Sequence, residues 1–297
     1  MRPEDWHLTH DADEFLARAG EFLRSRPAEH TMALTTIEKI RKRGVSTSGV
    51  EAPLFGRLER GGEVHAAFCR VTAHRHLNPT SLTPGQADTL AARLVRLGQP
   101  LSGVIADHDT ADAFARAWQL HTGARSVRTW GARLHRLGTL TPPRPTPEGR
   151  CRVAGEQDRE QVVRWCREFC VDVGETVSIA LIDAGSWTTS RFGDRHFTLW
   201  ETPDGTLTSM AAVTSMTADM VRVDPVYTPA LLRGHGYAGA VTAELSRAAP
   251  TAGATDVVLF ADPANATSSA LYRRIGFVPV GDFIGYEFTG YDFTGAA

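Results

Sequence analysis

Lysine is almost missing from this chain of 297 residues: lysine and arginine together number 32, and only Lys39 and Lys42 are lysines. Neither lies near the glycine-studded segment at 234–239, so a Gly-Lys-Ser/Thr loop gripping a nucleoside triphosphate is excluded there. Cysteine is scarce too. Cys69, Cys151, Cys166 and Cys170 form no pair of pairs at zinc spacing, and Cys166 and Cys170, four apart on an expected helix, read as buried thiols. His74 and His76 are close together, but nothing indicates a third ligand, so no metal is expected. No apolar run approaches the roughly 18 residues of a membrane helix. Neither sign of charge dominates: a net charge of −2 and a pI near 6.6 leave no footprint for nucleic acid or an anionic membrane. The opening Met1-Arg-Pro-Glu-Asp-Trp6 lacks the basic-then-apolar pattern of a secretion leader, and a cytoplasmic location is expected. The excess of arginine over lysine, with many alanines, points to a GC-rich bacterial source.

What is present is an ordinary globular composition, 42% hydrophobic and 22% charged, in a chain long enough for two domains. The proline-rich stretch Gly138–Gly149 favours an extended backbone. It sets the expected boundaries: a first domain at 1–138, a linker at 139–150 and a second domain at 151–297. The halves echo each other. Leu82-Thr-Pro84, a helix over 86–97, Val104-Ile-Ala-Asp107, a helix over 111–120 and Gly123 parallel Tyr227-Thr-Pro229, a helix, Leu259-Phe-Ala-Asp262, a helix and Gly276. Hairpin turns at Arg60-Gly-Gly-Glu63 and Thr202-Pro-Asp-Gly205 precede each set. A duplicated α/β unit is implied, its first copy lacking the glycine motif of the second. The basic run Lys39, Arg41, Lys42 and Arg43 reads as a solvated helix end.

The most informative segment is Tyr227-Thr-Pro-Ala-Leu-Leu-Arg233-Gly-His-Gly-Tyr-Ala238, a strand end leading into a helix expected to stop at Pro250. A helix start carries unpaired N–H groups and partial positive charge, and Gly234 and Gly236 clear the way for a diphosphate. Gly234, Gly236 and Gly239 also spell a dinucleotide fingerprint, with Asp262 as a ribose acid. Against that, Pro229–Arg233 intervene after the strand, and too few residues follow Asp262 for the remaining sheet.

Arg233-Gly-His-Gly-Tyr-Ala238, followed by Asn265-Ala-Thr-Ser-Ser-Ala-Leu-Tyr272-Arg-Arg-Ile-Gly276-Phe277, resembles the paired signatures of the GNAT superfamily of N-acetyltransferases across about 196 to 290. The resemblance implies an α/β (α+β) fold: two tandem GNAT-like domains, each a mixed, mostly antiparallel sheet flanked by helices, the first without a cofactor motif. It implies acetyl-CoA or another acyl-CoA as co-substrate, with a pantetheine thioester on an acyl carrier protein as a variant donor; the acceptor is not read from the motifs, and the near-neutral charge and bacterial composition point to a small-molecule amine over a protein lysine or N-terminus. It also implies a bulged fourth strand that opens a slot. Val226, Tyr227 and Thr228 would meet the pantetheine arm there, and Arg233, Gly234, His235, Gly236, Tyr237 and Ala238 would meet the phosphates. Tyr237 could equally pack on the sheet.

Positions 265, 269, 272 and 273 fall on one helical stripe, so Asn265, Ser269, Tyr272 and Arg273 face the cofactor while Leu271 and Ile275 anchor the helix. Asn265 also suits a helix N-cap. Tyr272, with an ordinary pKa of about 10, can give a proton to a departing thiolate; the resemblance assigns it that role. For the base, Asp224 is the first candidate, with an ion pair to Arg222 as its structural alternative and Glu201, His196 or a water chain also open. The resemblance places the acceptor site beside the helices expected over 159–173 and 177–191, with Trp187 and Trp200 lining it or filling the core. A non-enzymatic acyl-CoA sensor is the rival from another class.

Overall fold

Alternation of apolar residues builds the strands, and polar caps start most of the helices. The structure is a computed structural model that describes residues 5–43 and 52–290; Met1–Glu4, part of the opening stretch read as lacking a leader pattern, lie outside them. The chain divides into one unit made of 1–134 with 280–297 and another made of 135–279.

In chain order the first unit begins with β1 (Trp6–Thr9), α1 (Ala12–Arg24) and α2 (Thr31–Arg43), followed by β2 (Leu54–Arg60), β3 (Glu63–Arg70) and β4 (Asn78–Pro79). Then come α3 (Pro84–Arg96), β5 (Gly103–Asp107), α4 (His108–Thr122) and β6 (Arg125–Leu137). β1 to β4 form an antiparallel sheet in that order. Gly61 and Gly62, with φ of 58° and 86°, supply the left-handed turn between β2 and β3. Thr83 and Gln86 cap α3 reciprocally, and Asp107 caps α4, which ends at left-handed Gly123. The helices cover a core containing Trp6, Phe68, Leu90, Phe114 and Trp118, and the indole of Trp6 donates to Thr89 at 3.2 Å.

The second unit starts with β7 (Arg150–Val153), α5 (Arg159–Val173) and α6 (Thr176–Asp183), and continues with β8 (His196–Glu201), β9 (Leu207–Val213) and β10 (Met220–Tyr227). It closes with α7 (Tyr237–Thr251), β11 (Asp256–Ala261), α8 (Ala266–Arg274) and β12 (Phe277–Thr289). β7 to β10 pair antiparallel, and β10 pairs β11 in parallel. β6 and then β12 lie beyond β11. From Val280 onward β12 belongs to the first unit, where 283–287 pair antiparallel with β5 and Ile284 and Phe288 enter the core. The mixed, mostly antiparallel sheets flanked by helices match the expected class.

Two helix boundaries differ from expectation. α6 ends at Asp183, not 191, because Gly185 turns left-handed at φ 71° and Trp187–Thr189 form a separate 3₁₀ turn. α7 runs past Pro250 to Thr251. Pro250 forgoes the N–H bond to the Ser246 carbonyl in the last turn. The 139–150 stretch is extended and laid onto its unit: the Gly138 N–H donates to Gly276 O at 3.0 Å, the Thr141 N–H to Ile275 O at 3.0 Å, and the Trp200 indole to Glu148 O at 3.1 Å.

Candidate active site

The site begins where two neighbouring strands part. β10 and β11 pair from Met220↔Asp256 to Val223↔Leu259 and no further. On its other side β10 slips register against β9 between Val223 and Val226. Pro225, lacking an N–H, sits inside that slip and cannot join a ladder. The Tyr227 carbonyl accepts from the Ser209 hydroxyl of β9 at 3.0 Å, so it faces β9. Adjacent residues on a strand point their polar groups to opposite edges, so Val226 presents its N–H and C=O to the opened gap. Tyr227 turns its ring toward α5, and its hydroxyl donates to Glu168 at 2.9 Å. Burial, and then Glu168, push this phenol up to about 12.

The start of α7 lies just beyond the end of β10. Gly234 and Gly236 adopt φ of 85° and 84°, and Gly236 is the N-cap without offering any side-chain cap. Among the described residues, no acceptor pairs with the amides of 234–239; the first α7 bond is Ala240 N–H to Gly236 O at 3.0 Å. α3 of the first unit, with its reciprocal cap, offers no such opening. A Cβ on Gly236 would meet nothing nearer than Pro147 at 3.9 Å. His235 stacks on Tyr237 with centroids 5.7 Å apart, and Tyr237 is partly buried against the sheet core. Arg233 is already engaged: its Nε donates to Thr228 O at 2.9 Å and an Nη to Asp172 at 2.6 Å, while its guanidinium lies 5.9 Å from the Tyr227 ring centroid. Ala238 lies in the first turn of α7.

On α8 the sequence stripe divides. Asn265 caps the helix by accepting the Ser268 N–H at 3.0 Å, and it is exposed, as is Arg273; Ser269 is half-buried. Tyr272 is buried beside Phe277, centroids 6.0 Å apart, and Ile275 anchors the helix at 1% exposure. The Tyr272 hydroxyl makes no hydrogen bond among the described residues. Burial, and then the negative charge of Asp224, raise its pKa, so the phenol keeps its proton at neutral pH.

Asp224 sits among arginines. Arg191 and Arg195 both bind its carboxylate, the latter at 3.4 Å. Burial pushes the carboxyl up, but Arg191, Arg195 and Arg222 outweigh it and hold the group at about 2. A carboxylate that acidic is a poor proton acceptor; its evident task is to neutralise and position the guanidiniums. The ion pair foreseen with Arg222 forms instead with Arg191 and Arg195. Neither arginine stood out in the sequence, since isolated arginines before a strand carry no periodic signal. Glu168 and Asp172 escaped for the same reason. Glu201 is taken by Arg150 and Arg152, His196 is exposed at the start of β8, and Trp200 is core. Burial raises the Cys166 and Cys170 thiols, so both stay protonated and inert.

A family model described as FR47-like protein matches residues 205–281. No curated protein matches by sequence. Among solved structures, a tandem GNAT protein from the clavulanic acid biosynthesis pathway gives a TM-score of 0.57 at 13% identity, over 97% of this chain and 99% of its own. A GCN5-related N-acetyltransferase from Sphaerobacter thermophilus gives 0.53 at 15% identity, over 96% of each chain. A Drosophila protein gives 0.59 at 12% identity, over 95% of this chain and 98% of its own. This is the GNAT fold.

The GNAT architecture is one that serves acyl transfer, typically from acyl-CoA. The parted strands, open helix start and unpaired phenol lie together in the second unit, the one that the family model matches. Among the described residues no cluster of His, Cys, Asp and Glu could hold a metal ion, and no helix is long and apolar enough to cross a membrane.

The Asp224 cluster gives a stability test. Asp224→Asn strips the counter-charge from Arg191 and Arg195, and should lower stability at neutral pH by about 3 kcal/mol, read as a fall in the urea midpoint. Because the folded carboxyl is depressed, its contribution is whole above about pH 4 and fades as pH drops through about 2. Wild type and variant should therefore converge in acid; a constant gap across that range would contradict the assignment.

Proposed function

We propose that the second unit transfers an acetyl or related acyl group from an acyl-CoA to a primary amine of a small molecule, by direct attack with both substrates bound. The observation that carries this reading is the parting of β10 and β11 beyond Val223 and Leu259, with a protonated, unpartnered phenol beside it. The bound thioester supplies the activated acyl group. Every other contribution is made by the chain. The amides of 234–239 and the dipole of α7 suit the diphosphate. The Val226 N–H is placed to stabilise negative charge developing on a carbonyl oxygen in the gap. Tyr272 holds its proton until a thiolate leaves and then donates it. Asn265 and Ser269 are at hand for the arm, while Arg273 is exposed at the helix surface.

The amine's proton leaves to water, because Asp224 is too acidic to take it. A non-catalytic sensor would have no use for a buried phenol without a partner, which favours the enzyme.

Tyr272→Phe should lower kcat about 100-fold or more, with CoA affinity within about threefold of wild type by calorimetry; unchanged turnover would remove Tyr272 from the mechanism. Gly236→Asp brings both a negative charge and a side chain at φ 84°, and should weaken CoA binding about 100-fold. Gly85→Asp, at an open position in the first unit, serves as the control that should bind normally. The pH profile of kcat/KM should rise to a plateau at the pKa of the acceptor amine itself. A limb in the carboxylate range, removed by Asp224→Asn, would return the base role to that residue.

A further inference from the structure

Three guanidiniums gather on the α5-facing side of β10, and one of them lacks a partner. Arg191 and Arg195 both bind Asp224, and Arg195 also reaches Asp194 at 3.0 Å. Arg222 shares that face because it stands two residues before Asp224 on the strand. It senses Arg195, Asp224, Arg191 and Asp194 through space, yet among the described residues its guanidinium forms no hydrogen bond or ion pair. Glu175 does not serve it: one carboxylate oxygen accepts the Ser178 N–H at 2.8 Å and the other faces the Cys170 thiol at 3.3 Å. Arg195, whose side chain is 6% exposed, has a buried Nε that also lacks a partner. Burial, and then the neighbouring Arg195, bring Arg222 down to about 10. Asp224, Asp194 and Glu175 supply charge to the cluster, but none of them contacts the Arg222 guanidinium directly.

An arginine fork matches a planar acid group, and Arg222 is half-buried with no direct partner among the described residues. A single unmatched guanidinium suits one negative charge better than two. Aromatic walls adjoin the cluster: Arg191 lies 5.8 Å from the ring centroid of Phe169 and 5.0 Å from that of Phe192. Resting on the acyl-transfer reading above, we infer that the acceptor amine carries a carboxylate, which Arg222 seats with Arg195 in support. Arg222 and Val226 are four positions apart, about 13 Å along an extended strand, and the long arginine side chain spans part of that distance. An amino acid or short peptide with its acid group free fits this span, its amine directed along β10 toward the Val226 amide.

The test uses the full chain with acetyl-CoA and a panel of L-amino acids, their amides and the corresponding decarboxylated amines, read as release of free CoA. Free acids should exceed their amides by about 100-fold in kcat/KM, mostly through KM. Arg222→Gln should erase that preference while leaving CoA affinity unchanged, which also shows that the variant is folded. Arg222→Lys should keep part of it. Equal transfer to acids and amides, or a preference that survives in Arg222→Gln, overturns the inference and leaves acyl transfer standing. If no amine is acetylated, the transfer reading fails, and thermal shifts of the CoA complex with the same panel decide the acid site alone. A shift with free acids that is lost in Arg222→Gln supports it; no shift in the wild type overturns it.

Discussion

The second unit is organised around two parallel neighbours that stop bonding to each other. Up to Val223 and Leu259 the sheet is continuous; past them Pro225 interrupts β10, and its inner edge is left with polar groups that no strand satisfies. In a packed protein such groups are costly, so an open edge at the centre of a sheet survives only where something else pairs with it. An extended chain of amides, such as a pantetheine arm, is complementary to that edge. Tyr272 belongs to the same core cluster as Val223 and Leu259, where the pairing ends, and α7 follows β10 closely in the chain.

Charge on the opposite face of β10 follows a different logic. Asp224 is fixed by Arg191 and Arg195 at a pKa that forbids easy protonation, so it organises cations instead of moving protons. The strand thereby divides its roles: backbone at its edge toward the gap beside β11, and the Asp224 carboxylate toward Arg191 and Arg195.

Much of this was legible in the sequence because it rests on local rules. The glycines at 234 and 236 and the proline at 225 specify backbone geometry directly, and the fold class followed from the family resemblance carried by the glycine segment and the step from Asn265 to Tyr272. The hairpins at Gly61-Gly62 and Gly205 were equally plain. Less legible was anything set by distant packing. The partners of Asp224 arrive from the loop between α6 and β8, a segment read as helix because the left-handed turn at Gly185 was not recognised. Arg233, expected at the phosphates, instead holds Thr228 and Asp172, a pairing that needs α5 in place.

The path of the chain carries a consequence of its own. The second unit is nested inside the first, which resumes at Val280 and takes Ile284 and Phe288 into its core. A break at the proline-rich stretch would therefore leave the amino-terminal fragment with a hole where those side chains belong. Although two copies are recognisable along the polypeptide, they cannot be inherited, shuffled or expressed as independent modules by cutting between them. Substitutions in the last strand thus bear on the core of the first unit even though they follow the second unit in sequence.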